Sequence, residues 1–194
     1  MTQYDLTQIL YLIYCKLRGF FVFSNARLIR FPIDLRGKKY IKISKGFTTG
    51  VGCRLEAYPL HKNKTLFIGE NFQMNDYVHI TAMESVVIGN NVLLASKIYI
   101  SDCSHGSYSG DVFDSHPDLI PKERKMHSKP VLIEDNVWLG EFVSVLPGVS
   151  IGKGTIVGAN SVVSKSLPAY VIAVGAPARP VKKYNFETQR WEKI

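Results

Sequence analysis

No run of the chain is both long and apolar enough to cross a bilayer. The stretch from Ile9 to Phe23 is broken by Lys16, Arg18 and Gly19, and a crossing helix needs about 20 consecutive apolar residues. No secretory leader is legible, since Asp5 precedes the apolar run and no small-residue cleavage site follows it. Cysteine is scarce: Cys15, Cys53 and Cys103 are odd in number, and no pair has metal-ligand spacing. They read as reduced thiols of a cytoplasmic protein, with no disulfide framework and no metal site. Walker-type and dinucleotide glycine motifs are missing. The basic residues form no arginine-rich run or RNA-binding signature, so nucleic acid is not an expected partner.

What is present bounds the class. A chain of 194 residues, 46% hydrophobic, is enough for one domain with a continuous core. The balance of 24 basic against 16 acidic residues leaves a net charge of +8. That points to anionic partners: a phosphorylated substrate, a nucleotide-bearing cofactor or an acidic membrane surface.

The dominant pattern is a six-residue repeat. Aliphatic side chains recur at Ile133, Leu139, Val145, Ile151, Val157 and Val163, with a second register at Val137, Val143, Val149, Thr155 and Ser161. The same period occupies Ile43, Thr49 and Leu55, then Ile68, Met74 and Ile80, and after a two-residue skip Ile88, Leu94 and Ile100. A fixed short period means that each unit copies its neighbour and that stacking supplies the core, as in hexapeptide β-helices. Three hexads make one coil, so Ile133 should lie under Ile151 and Leu139 under Val157. Coils stacked about 4.8 Å apart give three flat parallel sheets in a prism. The expected corner residues are Gly69, Gly89, Asn90, Gly140, Gly152 and Gly158.

Three segments depart from the repeat. Residues 4–18 place Leu6, Ile9, Leu10, Ile13 and Leu17 on one helical stripe with Gly19 as the stop. Such a helix either packs on the solenoid or rests on a membrane. Residues 101–130 carry three of the five histidines, and a long excursion from a regular solenoid is usually functional. Past Val163, Pro168, Pro177 and Pro180 rule out a helix before Val181; a helix and a strand remain open for 181–194. The expected organisation is a single all-β domain over 1–194. It comprises a helical segment 1–25, β-helix coils over 40–100 and 131–168, an active-site loop 101–130 and a C-terminal segment 169–194.

The hexads combine with a histidine-bearing loop, NVWLG (136–140) and VGAPAR (174–179). Together they resemble the hexapeptide-repeat O-acetyltransferases, the group of galactoside, maltose and nodulation-factor acetyltransferases. NDYVHI (75–80), ASKIYISDCSHG (95–106) and SKPVLIEDNVWLGE (128–141) are most similar to the O-antigen and capsular-polysaccharide O-acetyltransferases of bacteria. The resemblance covers residues 40–183. It implies a left-handed parallel β-helix, a homotrimer with active sites between subunits, and acetyl-CoA as cosubstrate with no metal.

It also implies site residues. His105, in SHG, matches the family's catalytic base, and a near-neutral imidazole suits that role. Many polysaccharide relatives read DHxHG where this chain reads DCSHG, so Cys103 replaces a first histidine. Asp102 is a candidate to orient His105 or to contact substrate. Asn75, thirty residues before His105, matches an acceptor-binding asparagine, and His79 is a further candidate for the cleft. Alternation between Val137 and Leu139 puts Trp138 outside, where the family places the pantetheine and acetyl group beside substrate. The backbone N–H of Glu141 matches an oxyanion donor. Coenzyme A would be held by Ala159, Ser164, Lys165, Arg179 and Lys182. His116 and His127 read as solvated, and the histidine triad of the carbonic anhydrases on this fold is missing. The implied activity is transfer of acetyl to a sugar hydroxyl of a surface polysaccharide or its precursor, in the cytoplasm or against the inner membrane face. Rival readings are an N-acetyltransferase on a nucleotide amino-sugar or an antibiotic, and a non-catalytic scaffold.

Overall fold

Stacked hexads turn two residues of every six inward and satisfy each coil's backbone against the next. The computed structural model describes residues 4–194. Its core is a prism of three parallel sheets. Face A is built from Ala26–Ile29, Phe47–Thr49, Gln73–Met74, Leu93–Leu94, Trp138–Leu139, Ile156–Val157 and Val171–Val174. Face B holds Ile33–Arg36, Cys53–Ala57, His79–Ala82, Tyr99–Ser101, Ser144–Val145 and Val162–Val163. Face C holds Ile41–Ile43, Leu66–Ile68, Val86–Ile88, Val131–Ile133 and Ser150–Ile151. The coils therefore begin at residue 26, ahead of residue 40, and face A continues beyond 168.

The inward register is the one the period dictates. Ile133 stacks on Ile151, Leu139 on Val157 and Val145 on Val163. Of the first-register positions named above, Ile43 is the most exposed, at 8%. Thr155 and Ser161 enter the core because both hydroxyls are bonded. The first donates to the Pro168 carbonyl at 2.7 Å, and the second accepts the Gly175 N–H at 3.0 Å.

The corners divide their labour differently from the expectation. Gly69, Gly89, Gly140, Gly152 and Gly158 are absent from the left-handed backbone positions, where Asn71, Asn91, Asn136 and Asn160 stand instead. These asparagines tolerate positive φ, and Asn71, Asn91 and Asn136 also bond to one another coil by coil, each step 3.2 Å. The glycines serve close approach: a Cβ on Gly69 would sit 2.5 Å from the Gly89 carbonyl oxygen.

The N-terminal helix α1 runs Leu6–Val22, with a capping box between Asp5 and Gln8. Gly19 does not end it. It lies inside the last turn, where an added Cβ would come within 3.2 Å of Ile29 Cβ, so the glycine is an approach site for face A. The helix packs through Cys15 and Gly19, and the expected stripe faces away: Leu6 is 71% exposed and Leu17 64%. At the other end, Arg179–Asn185 and Arg190–Lys193 form an antiparallel hairpin on face A, which settles the tail as strand.

Gly69→Ala should lower stability by about 1–3 kcal/mol, since the added methyl must push a neighbouring carbonyl. Thermal unfolding would show a clear fall in midpoint; an unchanged midpoint would refute the close-approach role.

Candidate active site

The excursion leaves the prism at the corner between faces B and C, and it is ordered by its own bonds. Cys103–His105 pairs antiparallel with Met126–Ser128, with His105 opposite Met126. The Lys129 N–H closes the base on the Asp102 carbonyl at 2.8 Å. Gly106 has φ +103°, and a Cβ there would lie 2.6 Å from both Ser115 Oγ and Tyr108 Oη, so the glycine of SHG is required twice over. Arg124 braces the loop, donating to the Leu119 and Pro117 carbonyls and to Tyr108 Oη. Tyr108 in turn donates to the His105 carbonyl at 2.6 Å. The backbone of His105 is thus fixed, while its side chain is exposed and no group among the described residues hydrogen-bonds its ring.

Asp102 is not an orienting partner for His105. Its carboxylate is buried and accepts the backbone N–H groups of Met83, Glu84 and Ser85 at 2.7–2.8 Å. Three of its roughly four acceptor sites are taken by these amides, and the residue anchors the loop root to the preceding coil. Cys103 is half-buried. Burial raises its thiol above the ordinary range, and the Asp102 charge adds to this against a bond from Ser101, so a thiolate is disfavoured. Cys53, buried at the start of its face B strand, is pushed up to about 11 chiefly by desolvation.

Among the histidines, His127 is not solvated as expected. Its Nε2 is buried without a partner, as is Ser107 Oγ, and both residues line a small cavity with Ser115 and Met126. His116 is exposed and lies 3.6 Å from Asp118. His79 sits outward on face B in a polar network. Its Nε2 is 2.9 Å from Glu56 Oε2, its Nδ1 3.3 Å from Arg54, and its ring packs on Tyr99. Burial works against the Glu56 charge, but bonds from His79 and Thr81 and the Arg54 charge outweigh it and hold the carboxyl below its ordinary range. Arg36 completes the network at 2.8 Å from Glu56. Among the described residues no three His, Cys, Asp or Glu side chains converge as a metal site.

The other candidates gather at a different edge, between faces A and B. Asn75, Ala95, Gly140 and Gly158 are turn positions of successive coils there, joined through Asn75 N–H to Leu94 O, Ala95 N–H to Leu139 O and Gly140 N–H to Val157 O. Glu141 and Ala159 follow in the same column, and neither backbone N–H donates to any group among the described residues. Trp138 points outward as expected, 47% exposed, between Leu93 and Ile156 on face A. Arg179 pairs with Val174 and Lys182 with Ile172, which brings both to face A. Sequence reasoning missed Tyr77, Lys97 and Phe142. All three take left-handed backbone at this corner, and the Lys97 ammonium lies 4.9 Å from the Phe142 ring. Bulky residues adopt that backbone rarely, and the only cue in the sequence is their shared place two residues after the corner.

Ser164 and Lys165 do not join this group. They follow Val162–Val163 and turn at the corner between faces B and C, on the side of His105. One hexad of face B, at most about 20 Å of chain, separates the two edges.

The parallel β-helix thus carries an ordered histidine loop at one edge and unpaired amides beside an outward tryptophan at another. Residues 130–165 match the family model described as bacterial transferase hexapeptide (six repeats). The chain is 47% identical over 171 residues to the putative lipopolysaccharide biosynthesis O-acetyl transferase WbbJ of Escherichia coli (strain K12), covering 88% of this chain and 86% of that one. It is 37% identical over 120 residues to the galactoside O-acetyltransferase of the same organism, covering 62% and 55%. Among solved structures, AntD, an N-acyltransferase from Bacillus cereus, superposes with TM-score 0.68 over 84% of each chain at 22% identity. The hexapeptide-repeat acetyltransferase VCA0836 from Vibrio cholerae does so with TM-score 0.52 over 79% of this chain and 71% of that one, at 23% identity. This chain belongs to the hexapeptide-repeat acetyltransferases, and its prism is their left-handed parallel β-helix.

Two substitutions separate anchoring from chemistry. Asp102→Asn replaces an all-acceptor group by one that turns N–H toward N–H, and should cost about 1–3 kcal/mol of stability in denaturant titration. Cys103→Ser should keep the rate of acetyl transfer within about twofold, since the thiol is held protonated; loss of activity would restore it as a nucleophile.

Proposed function

We propose that this chain is an acetyl-CoA-dependent O-acetyltransferase acting on a sugar hydroxyl of a surface polysaccharide or its precursor, in the cytoplasm. The observation that carries the reading is His105: an exposed imidazole with no bond of its own, on a backbone fixed by Tyr108 and Arg124. It faces outward one prism face away from the unpaired amides of Glu141 and Ala159. The name of the relative matched along 86% of its length supports acetylation in lipopolysaccharide biosynthesis.

In this reading His105 takes the proton of the acceptor hydroxyl as its oxygen attacks the thioester carbonyl. The Glu141 N–H donates to the oxyanion that forms, a preorganised donor that needs no rearrangement. Collapse breaks the carbon–sulfur bond, and the imidazolium returns its proton to the departing coenzyme A sulfur, which leaves as the thiol. The ester and the free thiol balance the hydroxyl and the thioester consumed. Trp138 gives the acetyl and pantetheine chain an apolar wall, and the Ala159 N–H bonds its amides. Arg179 and Lys182 meet the phosphates, the guanidinium as a two-pronged donor. Asn75 bonds an acceptor hydroxyl from the same edge as Glu141.

The separation of these groups gives a reason for assembly. Within one chain His105, Ser164 and Lys165 stand at one corner, and Asn75, Trp138, Glu141 and Arg179 belong to the other. Packing the first corner of one protomer against the second corner of the next brings the two sets together, and a threefold ring closes that head-to-tail contact. The site is then shared between subunits of a homotrimer.

His105→Ala should lower turnover by about 10²–10⁴-fold with little change in coenzyme A affinity, measured as thiol release with a panel of sugar and polysaccharide acceptors. An equal loss of coenzyme A binding would refute the base role, and a product that resists mild base would reveal an amide and favour an amino-sugar acceptor. Mixed trimers of His105→Ala and Arg179→Ala chains should recover activity that neither variant has alone. Failure of dissociated and reassembled mixtures to recover any activity would refute a site built from two subunits.

A further inference from the structure

The helix α1 is amphipathic in the inverted sense. Its small residues, Cys15 and Gly19, are turned to the prism, and its large apolar ones, Leu6, Leu10, Ile13, Leu17, Phe20 and Phe21, are turned to solvent. Phe21 is 84% exposed. A stripe of this length is costly to leave in water and marks a contact surface. A groove of about 490 Å³ beside it, walled by Ile9, Leu12, Ile13, Leu17 and Leu28, extends the apolar surface onto face A.

Charge identifies the occupant. Residues 6–45 contain nine basic residues and one acidic residue, so this segment carries a net +8, the charge of the entire chain, and the remainder is neutral in sum. Three of these cations lie on the helix or at its end. The Lys16 ammonium donates to the Ala26 and Arg27 carbonyls. The Arg18 guanidinium lies over the Phe31 ring at 4.2 Å, and Lys38 over Phe23 at 5.2 Å, where the helix ends. Two copies of this positively charged segment would repel each other, so the charge opposes self-association. A surface of anionic headgroups over acyl chains matches both the cationic rim and the apolar stripe. No helix among the described residues is long and apolar enough to cross a membrane, so α1 would lie in the plane of the interface.

We infer that α1 and its basic surround form a docking face for an anionic phospholipid membrane, with the helix lying flat and its Leu6–Phe21 stripe immersed. The inference does not depend on which sugar is acetylated.

The test is flotation of the full-length protein with vesicles of phosphatidylcholine, with and without phosphatidylglycerol. Wild type should float with the anionic vesicles. Leu10→Asp with Leu17→Asp, and separately Lys38→Glu with Lys39→Glu, should reduce the bound fraction at least about tenfold. Both variants should keep the thermal midpoint and the transfer rate on a soluble acceptor, because the positions are exposed and remote from His105. No binding by wild type, or equal binding to neutral vesicles, overturns the inference. So does a fall in the soluble-acceptor rate, or an oligomer that dissociates in the aspartate variant while vesicles bind neither form.

Discussion

Everything in this molecule hangs on the amide ladder between coils. Each turn of the prism donates its backbone to the turn beside it, from Ala26 on Phe47 to Val157 on Ala173, so a coil's geometry is set by its neighbours. A fixed spacing of about 4.8 Å between coils leaves no freedom at a corner. That spacing makes Gly69 and Gly140 approach sites and lets the asparagines bond in a column. It also makes the interior periodic: an inward side chain sees the same site one coil later, and isoleucine, leucine and valine succeed one another with little adjustment.

The same regularity explains why the functional groups sit where they do. A ladder that fixes every corner offers precise outward positions but little variety, because each face repeats. Variety enters where the ladder is interrupted. Residues 101–130 leave the prism between two coils that continue to stack, with Val86 paired to Val131 across the insertion, so an irregular loop is mounted on a rigid base. Asp102 performs the mounting by gathering three amides of the preceding turn. The exposed ring of His105 inherits its position from that clamp and from Tyr108.

The fold was largely legible because period six admits one inward register; Ile133, Leu139 and Val145 announced their own burial. What was not legible depended on partners far along the chain. Asp102 read as a helper of its neighbour His105, yet its partners are backbone amides seventeen to nineteen residues earlier, which no local pattern encodes. Gly19 looked like a helix stop because its use, contact with Ile29, lies in another element. The corner glycines and asparagines were exchanged in role, since one residue pair answers two demands and only the backbone shows which meets which. At the site, Trp138 was legible by alternation. The distribution of candidates over two edges was not, because it follows from counting corners in three dimensions.

The C-terminal hairpin has a consequence for the molecule as an object of finite length. A stack of parallel strands is a template that ends nowhere by itself, and its last row of unpaired amides invites another copy to continue it. Here face A turns back on itself, antiparallel, through Arg179–Asn185, and finishes in Arg190–Lys193. The outer strand presents Arg190, Glu192 and Lys193 in place of an open aliphatic edge. With α1 laid over the first strand at the opposite end, the solenoid is closed at both poles of face A. Growth of face A along the stacking axis would have to start from a helix at one pole and a charged strand at the other.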